Sequence, residues 1–140
     1  MQPNIAVGID MGGTNIRMAL VDATGAIAEF LEQPTRADRD MERIIGDLGR
    51  GIATLVGTRR DSGEQVRGIG LGAPGFLSLQ SGVIHRSPNL PIACETPVVP
   101  LLQRLTGLPV FLENDANAAA IGEHWVGAGQ NARNLLCVTL

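Results

Sequence analysis

An α/β fold, antiparallel at its start and built from helix-linked strands thereafter, is what this sequence predicts, and three observations carry that expectation. The first third holds three short apolar runs whose connections are too tight for anything but antiparallel pairing. A long amphipathic helical pattern then leads into a short apolar strand, and a helix followed by a strand recurs further on. With 140 residues, 44% of them hydrophobic, the chain has the size of one domain and can bury a substantial core. It has no Tyr, so Leu, Ile, Val and Ala must fill that core.

Taken in order, Ile5 to Asp10 and Ile16 to Asp22 alternate as strands. Ala23-Thr24-Gly25 turns the chain into a third strand, Ala26 to Leu31, which Pro34 ends. Asp38 or Asp40 is placed to cap a helix whose apolar positions Met41, Ile44, Ile45, Leu48, Ile52, Leu55 and Val56 recur at three- and four-residue spacing. Glu42, Arg43, Asp47 and Arg50 form its solvated face, and Gly46, Gly49 and Gly51 weaken it. The polar run from Thr58 to Glu64 reads as a surface loop. Val66 to Gly75 is a buried strand that enters a Gly-Ala-Pro-Gly turn; after a crossover helix it pairs most economically parallel to the first strand, with its end beside Asp10. Phe76 to Leu79 and Ser81 to Ile84 make a brief hairpin. Pro97 to Thr106 is a second helix with Leu101, Leu102 and Leu105 inward and Gly107 past its end. Pro109 to Leu112 is a strand, Ala116 to Trp125 an alanine-rich helix narrow enough for close packing, and Asn134 to Leu140 a core strand.

The chemistry-bearing stretch is Asp10-Met11-Gly12-Gly13-Thr14-Asn15. Glycine takes positive φ at little cost and leaves no Cβ between backbone and ligand, so Gly12 and Gly13 can aim N–H groups at a phosphate. Thr14 adds a hydroxyl, and Asp10 can hold the water shell of a magnesium ion. An ordinary hairpin turn explains the same glycines without any ligand. A Walker loop is excluded, since no Gly-Lys-Ser/Thr follows and the chain has no lysine, and a dinucleotide fingerprint would lead into a helix rather than a strand.

Two further polar stretches stand out. Pro88 and Pro91 stiffen the loop that carries Asn89, which suits a side chain held in fixed geometry and equally suits a loop with no task. His85 and Arg86 look like solvent-facing strand ends. At the end of the Pro109 to Leu112 strand, Asp115 can simply cap a helix, but Glu113, Asn114, Asp115 and Asn117 exceed what capping needs. That excess suggests a polar pocket for a polyhydroxylated ligand, with a carboxylate able to accept a hydroxyl proton.

These stretches together, Asp10 to Arg17, Gly72-Ala73-Pro74-Gly75, Pro88-Asn89-Leu90-Pro91 and Glu113 to Glu123, resemble the ROK sugar kinases, bacterial glucokinase-like enzymes of the actin-like ATPase fold, in order and approximate spacing. The resemblance implies an α/β, ribonuclease H-like domain with a mixed five-stranded sheet and flanking helices. It implies an ATP-dependent hexokinase activity, with glucose phosphorylated at its 6-hydroxyl. Asp10 would lie near Mg2+ and the transferred phosphate, with Gly12, Gly13, Thr14 and Asn15 around the phosphates of ATP. Gly75, Asn89 and Asn114 would bind the hexose, and Asp115 would be the general base. Residues 1–113 would form the amino-terminal lobe, and 114–140 the base helix and first strand of a second lobe.

Departures from the pattern matter as well. Asn15 stands where these kinases often have lysine, and Ile92-Ala93-Cys94 where they commonly have Gly-Trp, so sugar preference cannot be copied over. The family's second phosphate loop and its zinc cluster would lie beyond residue 140, which makes the missing carboxy-terminal lobe the expected partner of this chain, in a parent that is a homo-oligomer, and leaves the chain alone inactive. A sugar-sensing domain without catalysis is the alternative, and a structural fragment that self-associates through its last strand a third. A net charge of −3 offers no electrostatic case for nucleic acid or an anionic membrane. Cys94 and Cys137 lack metal or redox spacing and read as inert thiols in a reducing cytoplasm.

Overall fold

A computed structural model of the chain describes residues 4–59, 63–91 and 95–138. Residues Arg60 to Ser62 of the polar loop, the Ile92-Ala93-Cys94 departure, and Thr139 and Leu140 lie outside the described residues. The elements are β1 (Asn4–Met11), β2 (Asn15–Asp22), β3 (Ile27–Pro34), α1 (Met41–Gly57), β4 (Gln65–Ala73), β5 (Phe76–Ser78), β6 (Val83–Arg86), α2 (Val98–Thr106), β7 (Val110–Asn114) and α3 (Asp115–Val126).

Five strands form one mixed sheet in the order β3-β2-β1-β4-β7, and β5 pairs with β6 beside it. The meander β1-β2-β3 is antiparallel, while β4 joins β1 and β7 joins β4 in parallel. Successive side chains of a strand point to opposite faces, and here that alternation separates two surfaces of different character. Ile5, Val7, Ile9 and Met11 of β1 are buried with Ile16, Met18 and Leu20 of β2. They share one core with Ile44, Leu48 and Ile52 of α1 and Val98 and Leu102 of α2. Each fully buried aliphatic side chain of this kind stabilises by about 1.5–3 kcal/mol, so this layer supplies most of the folding energy. Ala6, Gly8 and Asp10 face the other way, toward the side where α3 packs on β4 and β7.

Asp40 caps α1, its carboxylate accepting from the Arg43 N–H at 2.9 Å. Gly51, expected only to weaken the helix, is buried; a Cβ there would overlap the Met18 thioether, so its absence lets α1 settle onto β2. β3 runs on to Pro34, past its expected end, because Pro34 pairs with Asn15 on an edge strand, where a missing N–H costs no ladder bond. Leu105 is exposed rather than inward: Val98 and Leu102, one turn apart, define the buried line of α2, and Leu105 lies beside it near Gly49. Arg59 is no free loop residue, being paired with Glu29 at 3.4 Å and Glu64 at 3.2 Å.

Near the end of the chain one expectation holds and one is corrected. The alanine-rich helix α3 packs closely on β4, where a Cβ on Gly72 would lie 3.5 Å from Ala118 Cβ, yet it has no fully buried residue and Ile121 and Trp125 stand exposed. Asn134 to Val138 forms no strand: it has no ladder partner among the described residues, and Leu136 and Val138 are largely exposed. A strand exists only through the neighbour that takes its backbone hydrogen bonds, which an apolar pattern alone does not supply.

Candidate functional site

The turn between β1 and β2 is a hairpin, closed by the Gly12 N–H donating to the Asn15 carbonyl at 3.0 Å. Neither Gly12 nor Gly13 has positive φ, so the reason first suggested for these glycines does not hold. Close approach requires them instead. A Cβ on Gly12 would come within 2.7 Å of the Asn15 carbonyl oxygen, and one on Gly13 within 2.8 Å of both Cβ and O of Asn89. Because Gly12 spends its N–H inside the hairpin, the amides left to a ligand are those of Gly13 and Thr14, which have no backbone acceptor among the described residues.

Thr35 holds this turn from behind. It is 1% exposed; its hydroxyl donates to the Gly12 carbonyl at 2.6 Å and its N–H to the Thr14 carbonyl at 2.8 Å. Sequence reasoning missed it, since a single threonine after Pro34 carries no pattern of its own. Asn15 pairs across to β3 and is half-buried.

The Asn89 loop is anchored by Ser87 and Leu90, both buried, and leaves Asn89 exposed against Gly13. Gly75, at φ 111°, docks on the backbone of Arg86 and Ser87, where a Cβ would sit 2.8 Å from Ser87 Cα. The turn after β4 therefore supports the loop that touches the glycine turn, a juxtaposition that spacing in sequence does not reveal. His85 stays half-exposed, its Nδ1 2.7 Å from Glu95 Oε1.

At the other end, β7 runs directly into α3. Asn114, not Asp115, is the cap: its Oδ1 accepts from the N–H groups of Ala116 at 3.0 Å and Asn117 at 3.3 Å. Its Nδ2 has no partner among the described residues and remains available. Glu113 and Asn117 bind each other, the Asn117 amide donating to Glu113 Oε1 at 3.1 Å, so part of the polar excess serves the junction itself. Asp115 is the first helical residue; its Oδ1 accepts from Ala116 N at 2.9 Å, and the acid sits near the positive end of the helix dipole.

Asp10 and Asp115 line the same cleft, of about 530 Å³, on the side of the sheet away from α1 and α2. Register explains it: Asp10 pairs with Gly72 of β4, and α3 crosses so closely that a Cβ on Gly72 would touch Asp115 Cα at 3.6 Å. Arg17, Ala116 and Ala119 complete that end of the wall. Gly12, Gly13, Thr14, Asn15, Gly75, Asn89 and Asn114 do not line this cleft; Gly13 meets Asn89 and Gly75 docks on Ser87 beside the hairpin turn, while Asn114 pairs with Ala73 at the end of β4. Among the described residues no three acids, histidines or cysteines gather as a metal cage. One exposed carboxylate, Asp10, fits a magnesium ion bound chiefly through a nucleotide's own phosphates.

Comparison with known proteins gives this geometry a context. The model of the ROK family matches residues 6–140. A glucokinase of Halalkalibacterium halodurans is 38% identical over 134 residues, covering 96% of this chain and 40% of the relative. The ROK family glucokinase from Streptomyces griseus, solved in complex with glucose and AMPPNP, superposes with a TM-score of 0.79 at 32% identity over 91% of this chain and 38% of that one. A xylose repressor of Caldicellulosiruptor bescii is 28% identical over 134 residues, covering 96% of this chain and 33% of the relative. The chain thus spans about two fifths of the length of the glucokinases it matches.

Proposed function

Because the chain belongs to the ROK family, with the actin-like ATPase fold of its kinases, we propose that it carries one side of a hexose kinase cleft, containing the phosphate turn and the general base. The observation that supports this most is the placing of Asp10 and Asp115 on one cleft at the parallel-strand end of the sheet. Had the two acids lain on opposite faces, no phosphate and alcohol could meet between them.

In this reading the hexose 6-hydroxyl oxygen attacks the terminal phosphorus of ATP, its bond to ADP breaks, and the hydroxyl proton passes to the Asp115 carboxylate. Phosphoryl transfer needs mainly position and charge, so an aspartate within reach of the hydroxyl suffices. The Gly13 and Thr14 amides donate to phosphate oxygens, with Thr35 keeping them aimed, and Asn15 flanks them. Asp10 would hold Mg2+, which when bound neutralises phosphate charge. Asn89, steadied by Gly75, and the free amide of Asn114 orient sugar hydroxyls. We also propose the division of residues 1–113 as one lobe and 114–140 as the start of another, with the rest of the cleft supplied by length present in the relatives. No described helix is long and apolar enough to cross a membrane, and a cytoplasmic location is part of the same proposal.

The similarity to a xylose repressor supports a second reading, a sugar-sensing domain without transfer. A hexose panel with ATP separates the two, assayed on the chain and on a chimaera joining residues 1–140 to the unmatched part of the Halalkalibacterium glucokinase. Phosphorylation by the chimaera that disappears in Asp115→Ala supports the kinase; sugar binding without transfer supports the sensor. Full turnover in Asp115→Ala would reject the assigned base.

A further inference from the structure

We propose that Arg17 is the cation of the phosphate end of this cleft, released from a cross-strand ladder of carboxylates to hold the terminal phosphate oxygens of a nucleotide. This rests on the kinase reading and adds a residue to it. All eleven cationic side chains of the chain are arginines, and Arg17 is the one that lines the cleft among the described residues. The cleft otherwise presents two carboxylates, Asp10 and Asp115. A nucleotide entering between them brings more negative charge, and this stretch of chain has no lysine to meet it.

Arg17 stands directly across from Asp10 on β1 and from Glu32 on β3. Its Nη1 is 3.7 Å from Asp10 Oδ2, too long for a hydrogen bond, whereas Nε donates to Glu32 Oε2 at 3.2 Å. The simplest alternative is a solvated row of cross-strand charges, which needs no ligand. Exposure argues that such a row binds its members loosely: the three side chains are 55%, 57% and 40% exposed, and ion pairs in water contribute little. Glu32 engages the guanidinium through Nε, and no hydrogen bond among the described residues occupies its outer nitrogens, of which Nη1 lies beside Asp10. The planar fork of arginine suits two phosphate oxygens at once. Asp10, relieved of its weak partner, is then free for a metal ion carried in with the phosphates.

The test is a 31P NMR titration of the chimaera with MgATP and, separately, with AMP, which lacks the terminal phosphates. Arg17→Gln should weaken MgATP by about tenfold or more, the loss expected for one charge-assisted contact, and leave AMP affinity unchanged. Arg17→Lys, which keeps the charge without the fork, should fall between. The thermal midpoint of Arg17→Gln should scarcely move. Equal MgATP affinity in wild type and Arg17→Gln would overturn the assignment while leaving the kinase reading intact, and equal weakening of MgATP and AMP would overturn it as a general structural effect. Failure of a folded, otherwise unaltered chimaera to bind MgATP would overturn the kinase reading together with it.

Discussion

The two faces of the central sheet are built on different principles. Beneath α1 and α2, β1 and β2 present Ile, Val, Met and Leu side chains that are almost wholly buried, and even Gly51 is used to bring helix and strand together. On the other face β1 presents Ala6, Gly8 and Asp10, β4 presents Gly70 and Gly72, and α3 crosses without a single fully buried residue. One face concentrates folding energy, and the other keeps its side chains small so that a cleft remains open. Stability and chemistry are therefore separable here by which side of a strand a residue occupies.

That separation can be broken experimentally. The largest effect belongs to the open face: in the chimaera, Asp115→Asn should reduce turnover by about 10²–10⁴ while leaving the melting temperature unchanged. A loss of turnover that tracks lost fold would deny the separation. On the closed face, Leu48→Ala should cost about 2–5 kcal/mol in urea unfolding, since Leu48 is completely buried and its removal leaves a cavity. Phe111, exposed on β7, provides the contrast, and Phe111→Ser should change stability by no more than about 0.5 kcal/mol.

Thr35 tests the border between the two principles. Thr35→Val leaves the Gly12 carbonyl without its hydroxyl donor and should cost about 1–3 kcal/mol, with Thr35→Ser recovering much of it. Weaker MgATP binding in the valine variant, beyond the change in stability, would mark the turn's geometry as functional. The smallest effect is at the β2–β3 turn. The Thr24 hydroxyl, donating at 2.6 Å, and then the Thr24 N–H at 2.8 Å hold the Asp22 carboxyl below its ordinary value of 3.8. Its contribution to stability is present above that value and is lost as pH falls through the lowered one. A carboxyl titration by NMR should place Asp22 below 3.8, and an unshifted midpoint would show the turn to be open in solution.

Local pattern was legible wherever one residue's neighbours in sequence are also its physical neighbours. The alternation of Ile5 to Met11, the spacing of Met41 to Leu55 and the left-handed Gly107 at the end of α2 were all readable, because helix and strand periods are properties of the backbone. The candidate acids Asp10 and Asp115 were readable as chemical types in turn contexts. Thr35, by contrast, acts across 23 residues, and the fit of Asn89 against Gly13 is a contact between surfaces that no spacing encodes. The exposed run from Leu135 to Val138 shows the same limit from the other side: its apolar pattern describes a strand, yet a strand is a relation between two segments.

By itself, then, the amino-acid order determined most of the elements, the buried lines of β1, β2 and α1, and the family the chain resembles, since all of these follow from periodicity and short motifs. Only the tertiary structure decided that Asp10 and Asp115 share a cleft, that Asn114 rather than Asp115 caps α3, and that Arg17 stands between Asp10 and Glu32. The physical reason is that sheet register and helix docking set these distances, and both are fixed by how buried surfaces fit together rather than by any stretch of chain alone.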